Sequence, residues 1–417
     1  MPKENIARPD AGPPPALRSF AILFAAMTLL SEAWSAAASL LFHMRPPYGG
    51  TFHWDDPFQD LLIFRPRFLD FHTPHFWDAD LYPFTYPAPL GVVYWFLYRL
   101  PHVVGLYLAF STTILILWAW FFARRFATPA KTFALLLLFL AASWPVRFLL
   151  QSGNMEIAVA VLLGVGILAA LRGRWYVAAT VIGIAGSMKL YPLALLGLLL
   201  AQRRYRAFIW GLVAAAATTI ASLAFLGPTV FEAQRHIADG ILFLQQRYVL
   251  APLPDGLQFN HSLFNLIKLC VFVVAKLQSL PAGSTASLMA IALHFYFPLA
   301  AITALLLYLR IRQMPLLNQV VALTVCAVLL PPFSLDYTLV QLLIPFGLLC
   351  VFAVDTWRKQ RQPAGLALCF TSFALLFSTG AYFEVRYRFA AQVRTLALIV
   401  LLAAMLHYRF VQEEDRA

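Results

Sequence analysis

The run Asp55-Asp56-Pro-Phe-Gln-Asp60-Leu-Leu-Ile-Phe-Arg65-Pro-Arg67 puts three carboxylates and two arginines into one short stretch. A carboxylate held where water meets an apolar surface can take a proton from an incoming hydroxyl. Asp60 is followed directly by Leu61, Leu62, Phe64 and Phe68, a set suited to lying in a membrane interface. Asp60 is therefore the candidate general base, with Arg65 beside it. The alternative is a solvated loop whose aromatic residues mark the headgroup level. The nearby HTPHFWDAD, with His72, His75, Asp78 and Asp80, offers a mixed donor set for a divalent ion. Its spacing matches no specific metal motif, so no metal ligand is assigned.

Four further places carry polar residues among apolar neighbours. In RFLLQSGNMEIAV, Arg147, Gln151, Asn154 and Glu156 either cap helices or line a polar headgroup site. In GSMKLYPLALL, Lys189 sits between long apolar runs, where a charge costs about 2.5–3.5 kcal/mol by insertion scales. It either snorkels from a helix end or faces a cavity. Pro192 breaks the helix there and frees backbone carbonyls, and a cation at such a break suits an anionic ligand such as phosphate. In LQFNHSLFNL, Asn260 or Ser262 caps a helix or contributes polar contacts. In LLPPFSLDYTLVQLL, Asp336 caps a span or contacts the same cavity.

What must hold these residues is a membrane bundle. Of 417 residues 61% are hydrophobic and 12% charged, against about 45–50% and 25% in soluble chains. Mean hydropathy is +0.74. Apolar runs of spanning length, about 20 residues, recur along the chain. The net charge of +12 fits the positive-inside bias and anionic lipid; with no basic tail and no nucleic-acid motif, nucleic acid is excluded as a partner. Cys270, Cys326, Cys350 and Cys369 lie in apolar segments without ligand spacing and read as small hydrophobes.

The expected fold is an all-α polytopic membrane protein with about 10–13 transmembrane or partly inserted helices. A cytoplasmic disordered N-terminus covers 1–17 and a single transmembrane domain 18–410, with a cytoplasmic tail at 411–417. Spans are expected near 18–42, 102–123, 130–150, 155–171, 207–226, 285–309, 314–332, 336–354, 363–379 and 394–410. Residues 43–86 form a first external loop and 227–262 a second. Arginines at both ends of 175–202 put both ends inside, so that segment reads as a broken helical hairpin around Lys189-Leu-Tyr-Pro192. The pieces 87–100 and 263–279 are short for a crossing. Arg45, Arg65, Arg67, Arg147, Arg235, Arg247, Arg386, Arg388 and Arg394 then fall outside, an excess that asks for anionic partners there.

The order of these features resembles the multispanning glycosyltransferases of the GT-C superfamily, most closely glycosyltransferase family 87. The matching elements are Asp60 early in the first loop and the Tyr-Pro-rich DLYPFTYPAPL containing Tyr86. Then come Gln151-Ser-Gly-Asn154, KLYP ahead of Arg203-Arg204-Tyr-Arg206, Asn260-His-Ser262-Leu and PPFSLDY. The chain departs from the family in the residue after Gln151 and in carrying Leu-Asp-Tyr where relatives often have Trp or His. The resemblance implies a GT-C-like bundle with a catalytic first external loop in the cell inner (plasma) membrane; Lys3, Arg8 and Arg18 ahead of the first span and Arg409 after the last make both termini cytoplasmic. It implies inverting transfer of a hexose, often mannose, from a polyprenyl-phosphate donor to a lipid or glycan acceptor on the non-cytoplasmic face. No cofactor is implied; the polyprenyl-phosphate sugar is a co-substrate, and a divalent metal stays open. On this reading Asp60 is the base, and Arg65, Arg67, Tyr86, Arg147, Gln151, Asn154, Lys189, Asn260, Ser262 and Asp336 bind substrate. A transporter or flippase of lipid-linked substrate is the alternative; it would share the basic cavity without needing the poised carboxylate.

Overall fold

The computed structural model describes residues 13–42, 57–71, 73–77, 82–251, 257, 259–361, 363–380 and 390–411. Asp55, Asp56, His53, His72, Asp78, Asp80, Arg45, Arg386 and Arg388 lie outside the described residues, as do most of the N-terminal segment and the tail. The protein is an all-α polytopic membrane protein. Its helices are α1 (Pro15–Phe42), α2 (Gln59–Leu62), α3 (Arg65–Leu69), α4 (Ala88–Tyr98), α5 (Val103–Ala123), α6 (Pro129–Ala142), α7 (Trp144–Ser152), α8 (Glu156–Leu171) and α9 (Trp175–Met188). They continue as α10 (Gly197–Ala201), α11 (Tyr205–Leu226), α12 (Val230–Leu244), α13 (Leu263–Leu277), α14 (Ala282–Ile311), α15 (Leu316–Leu329), α16 (Leu343–Arg358), α17 (Leu366–Phe377) and α18 (Ala390–His407). Three-residue-per-turn segments at Tyr191–Leu196 and Asp336–Leu342 lead into α10 and α16. Among the described residues six helices are long and apolar enough to cross a membrane, seven if the bent pair α6–α7 counts as one; six more are shorter and apolar.

Several expected spans change form. The one at 130–150 is broken: α6 and α7 meet at 60°, where Ser143 takes an extended conformation just ahead of Trp144-Pro145, and proline disfavours an uninterrupted helix. The span from 336 starts as a 3-10 turn before becoming α16. The second loop is largely helical: α12 fills 230–244, with the Thr229 hydroxyl accepting from the Glu232 amide as its N-cap, and a π-helical turn follows at Gln245–Val249. Residues 87–100 hold the 11-residue α4, too short to cross.

The segment 175–202 is a hairpin. The Arg204 guanidinium lies 5.2 Å from the Trp175 ring, so its two ends meet. A Cβ on Gly211 would touch both Leu196 and the Ala179 carbonyl, so the returning limb runs back beside α9 and both pack on α11. The break leaves Lys189 extended at the tip.

Two ends of the bundle differ. Gln202 donates to Gln319, Gln319 to the carbonyls of Arg312 and Met314, Arg310 to Leu406, and Asn318 to Met405 and Tyr408, which gathers one arginine-rich end. Lys189, Glu156, Asp60 and Asp336 gather at the other. The central helices that reach this second end are short: α8 has 16 residues, α9 and α15 have 14 each, or about 24 and 21 Å at 1.5 Å per residue. The hydrocarbon core is about 30 Å thick. The peripheral α1 and α14, with 28 and 30 residues, reach over 40 Å. The polar end of the core is therefore sunk inside a taller rim.

Candidate functional site

Asp60 rests on the turn between α7 and α8. Gly153 ends α7 with φ 71°, a left-handed conformation that suits glycine. A Cβ there would strike Leu61 and crowd Phe58. With glycine in place, the Phe58 amide donates to the Gln151 carbonyl at 2.7 Å, and the short helix α2 rests on the turn. Above it, the hydroxyl of Tyr94 donates to the carbonyl of Asp60 (3.1 Å) and that of Tyr98 to Leu61. Phe64 is buried among the rings of Tyr82, Phe84, Tyr86 and Tyr94. The first loop is thus fastened by aromatic packing and by backbone bonds on both sides of the candidate base.

Asn154 is the hub. Its Nδ2 donates to Asp60 Oδ2 at 2.7 Å and to the Tyr86 hydroxyl at 2.9 Å. Its Oδ1 accepts from Lys189 Nζ at 3.1 Å and from the Glu156 amide at 3.0 Å. Lys189 also donates to Glu156 Oε2 at 2.7 Å, a pair buried on both sides. Tyr191 and Gln341 both donate to Glu156 Oε1, and Gln341 Nε2 reaches the Tyr191 hydroxyl at 2.6 Å. The ammonium of Lys189 faces the rings of Tyr337 at 5.0 Å and Tyr86 at 5.3 Å, an arrangement that stabilises a cation. Asp60 itself stays partly exposed. Burial raises its carboxyl above the ordinary value, opposed by the Asn154 hydrogen bond and by the charge of Lys189. One amide therefore joins a carboxylate of raised basicity to an ammonium, which is the pairing needed to take a proton at one point and meet negative charge at another.

Asp336, Asn260 and Ser262 belong to a second cluster. Asp336 is fully buried. It accepts from Trp144 Nε1 at 2.8 Å and Arg394 Nη1 at 2.5 Å on Oδ2, and pairs with His261 Nδ1 at 3.3 Å through Oδ1. Nε2 of His261 faces the hydroxyls of Ser334 at 3.1 Å and Thr338 at 3.2 Å. Burial holds His261 below its ordinary pKa, against the pull of Asp336. Asn260 Oδ1 accepts from the Ser262 and Ser334 amides, and Ser262 Oγ donates to the Pro332 carbonyl. These two residues zip the loop before α13 onto residues 332–335, where Asn260 and Leu335 form a single bridge.

The arginines separate. Arg67 is buried and donates to the carbonyls of Phe76 and Tyr82, holding the aromatic loop onto α3. Arg147 pairs with Glu32 of α1 at 2.8 Å. Arg65 is exposed. Of the residues expected to bind substrate, the structure brings Tyr86, Asn154 and Lys189 together with Asp60. The backbone of Gln151 supports that group. Glu156 appeared in the sequence only as a member of a polar run and Arg394 only among the external arginines that ask for anionic partners; Tyr191, Gln341 and Trp144 had no role assigned. The available signal was polarity inside apolar spans: Gln341 and Arg394 are both placed where a polar group must find a partner. Among the described residues no group of three or more His, Cys, Asp or Glu is arranged to hold a metal.

An apolar groove of about 360 Å³ runs between α5 and α8, lined by Trp118, Phe121, Ile157, Val161, Leu168 and Ile344 among others. Ile157 and Val340 form its upper end, next in sequence to Glu156 and Gln341. Arg124 stands at its lower end.

Residues 84–239 match the family model for glycosyltransferase family 87. That segment contains Tyr86, Asn154, Glu156, Lys189 and Tyr191. No curated protein matches the chain.

Proposed function

We propose that this chain, a membrane glycosyltransferase of family 87 by the match over residues 84–239, moves a hexose, with mannose favoured, from a polyprenyl-phosphate donor to an acceptor hydroxyl on the non-cytoplasmic face of the plasma membrane. The observation that carries this reading is the unbroken line Asp60–Asn154–Lys189. The acceptor oxygen attacks the anomeric carbon as the bond from that carbon to the phosphate oxygen breaks. Asp60 takes the acceptor's proton, and the departing polyprenyl phosphate leaves with the electron pair. A single displacement of this kind inverts the anomeric centre. Positive charge builds on the sugar ring while negative charge builds on the phosphate, and a preorganised ammonium such as Lys189 favours the latter. A phosphate is already a good leaving group, so the site needs a base more than an acid.

Glu156 has a place in the same reading. It holds the Lys189 ammonium in a buried setting where an unpaired charge would be costly. The anionic donor can compete for that ammonium, with Tyr191 and Gln341 remaining to satisfy the displaced carboxylate. The groove between α5 and α8 supports a lipid donor: its apolar walls extend from Ile157 to Leu168, about 16 Å along the helix. In the bundle's frame this fits a GT-C-like arrangement.

The test is transfer by purified protein in nanodiscs, using a panel of radiolabelled polyprenyl-phosphate sugars with membrane lipid extract as acceptor. Sugar transfer that is lost in a folded Asp60→Asn variant is the expected result. Full transfer by that variant would refute the base assignment. Movement of donor across the bilayer without transfer would favour a flippase instead.

A further inference from the structure

The cluster around Asp336 touches none of the groups assigned to the reaction, yet both oxygens of its carboxylate are met by donors from three other parts of the chain. Its members come from four separate parts of the chain. Trp144 opens α7, His261 precedes α13, Arg394 lies in α18, and Asp336 begins the 3-10 turn 336–342 with Ser334 and Thr338 alongside. Each is at least nine-tenths buried. A buried ion pair of this kind is weak evidence for stability, because hydrophobic replacements often do as well; fixing one arrangement among alternatives is a better-attested use.

The turn that Asp336 begins is short and carries two residues of the reaction site. Tyr337, next in sequence, presents its ring to Lys189 at 5.0 Å. Gln341, five residues on, donates to Glu156 and to the Tyr191 hydroxyl. The α7 contacts keep the same register. Trp144 bonds Asp336, and Phe148, one helical turn later, stacks on Tyr337 with centroids 5.7 Å apart and planes at 14°. Residues at i and i+4 share a helix face, so α7 grips the turn at two successive positions.

We propose that Asp336 is a positioning residue: held by Arg394, Trp144 and His261, it sets the register of the turn that places Tyr337 and Gln341 against Lys189 and Glu156. The proposal rests on Lys189 meeting the donor phosphate, as argued above. Asp336 does not touch substrate. It acts by fixing two side chains that hold the ammonium and its counter-charge, so its loss falls on donor recognition first.

The experiment is the double variant Asp336→Asn with Arg394→Gln, full length and in nanodiscs, which removes both charges together and leaves no lone buried ion. The expected result is a donor KM raised about tenfold with acceptor KM unchanged, and a cryo-EM structure in which Gln341 has left Glu156. A purely structural cluster would lower the melting temperature and leave both Michaelis constants alone, which overturns the proposal; so would Gln341 still seated on Glu156. If the double variant does not fold, Trp144→Phe removes one donor and keeps the ring, and it is read by the same two measurements. The imaging arm is independent of substrate. If no sugar donor on the panel is turned over by the wild type, the proposed reaction fails while the position of Gln341 still decides the register claim.

Discussion

Two carboxylates, Asp60 and Asp336, stand at the same end of the bundle and are treated in opposite ways. Asp336 has donors from three other elements, including a guanidinium, and no exposure. Asp60 is partly exposed; it takes a side-chain bond from Asn154, and its nearby cation, Lys189, sits on the far side of that amide. A carboxylate whose oxygens are both engaged by buried donors has none left to meet an incoming hydroxyl. One with a single side-chain donor and some exposure keeps room for a further partner. On the proposed reading the same side chain is a fixed part of the scaffold in one place and a reactive group in the other, and the number of donors decides which.

That contrast can be broken by substitution. Asp60→Asn should lower kcat by about a thousandfold, within the range of a lost general base, while moving the melting temperature by no more than about 2 °C; steady-state transfer and thermal unfolding measure both. Arg394→Met should do the reverse. It strands a buried carboxylate, at a cost of about 3–5 kcal/mol, and should be seen first as a lower melting temperature and poor yield. The pH dependence sharpens the point. The base must be ionised, so the rate falls as pH drops through the pKa of Asp60, and burial places that acid limb above the ordinary carboxylate range. Asn154→Ala removes a bond that favours the charged form, so the limb should move to still higher pH in the kcat/KM profile. The smallest effect is expected at Gly240, where an added Cβ would meet the Phe84 carbonyl. Gly240→Ala should push α12 off the segment carrying Tyr86 and cost about 1–3 kcal/mol by overpacking, read as a fall in thermal stability.

Much of the bundle was legible in the chain because hydropathy fixes where helices lie. The hairpin tip at Lys189 was legible too, since arginines at both ends of 175–202 leave little choice of topology. The bend at Ser143 was missed because hydropathy carries across it and only the Trp144-Pro145 pair marks it. At the site, Asp60, Asn154 and Lys189 announced themselves by polarity next to breaks. The pairing of Asp336 with Arg394 did not, although each is an ionisable group in an apolar span and each needs a partner. Their separation of 58 residues carries no local pattern. Arg67 and Arg147 show a related gap: the sequence offers them as phosphate or headgroup ligands and carries no sign of the carbonyl and carboxylate partners they have inside the fold.

The difference in height between the central and peripheral helices has a kinetic consequence. If the site sunk within the taller helices is the proposed reaction centre, it receives its lipid-linked donor from the side, and the supply is then a mole fraction within one leaflet. Diluting the donor with inert lipid at constant total donor should slow turnover, whereas diluting the vesicles in buffer should leave it unchanged. Bilayer thickness enters through the same geometry, because on the proposed reading a thicker hydrocarbon layer deepens the recess that the donor phosphate has to enter.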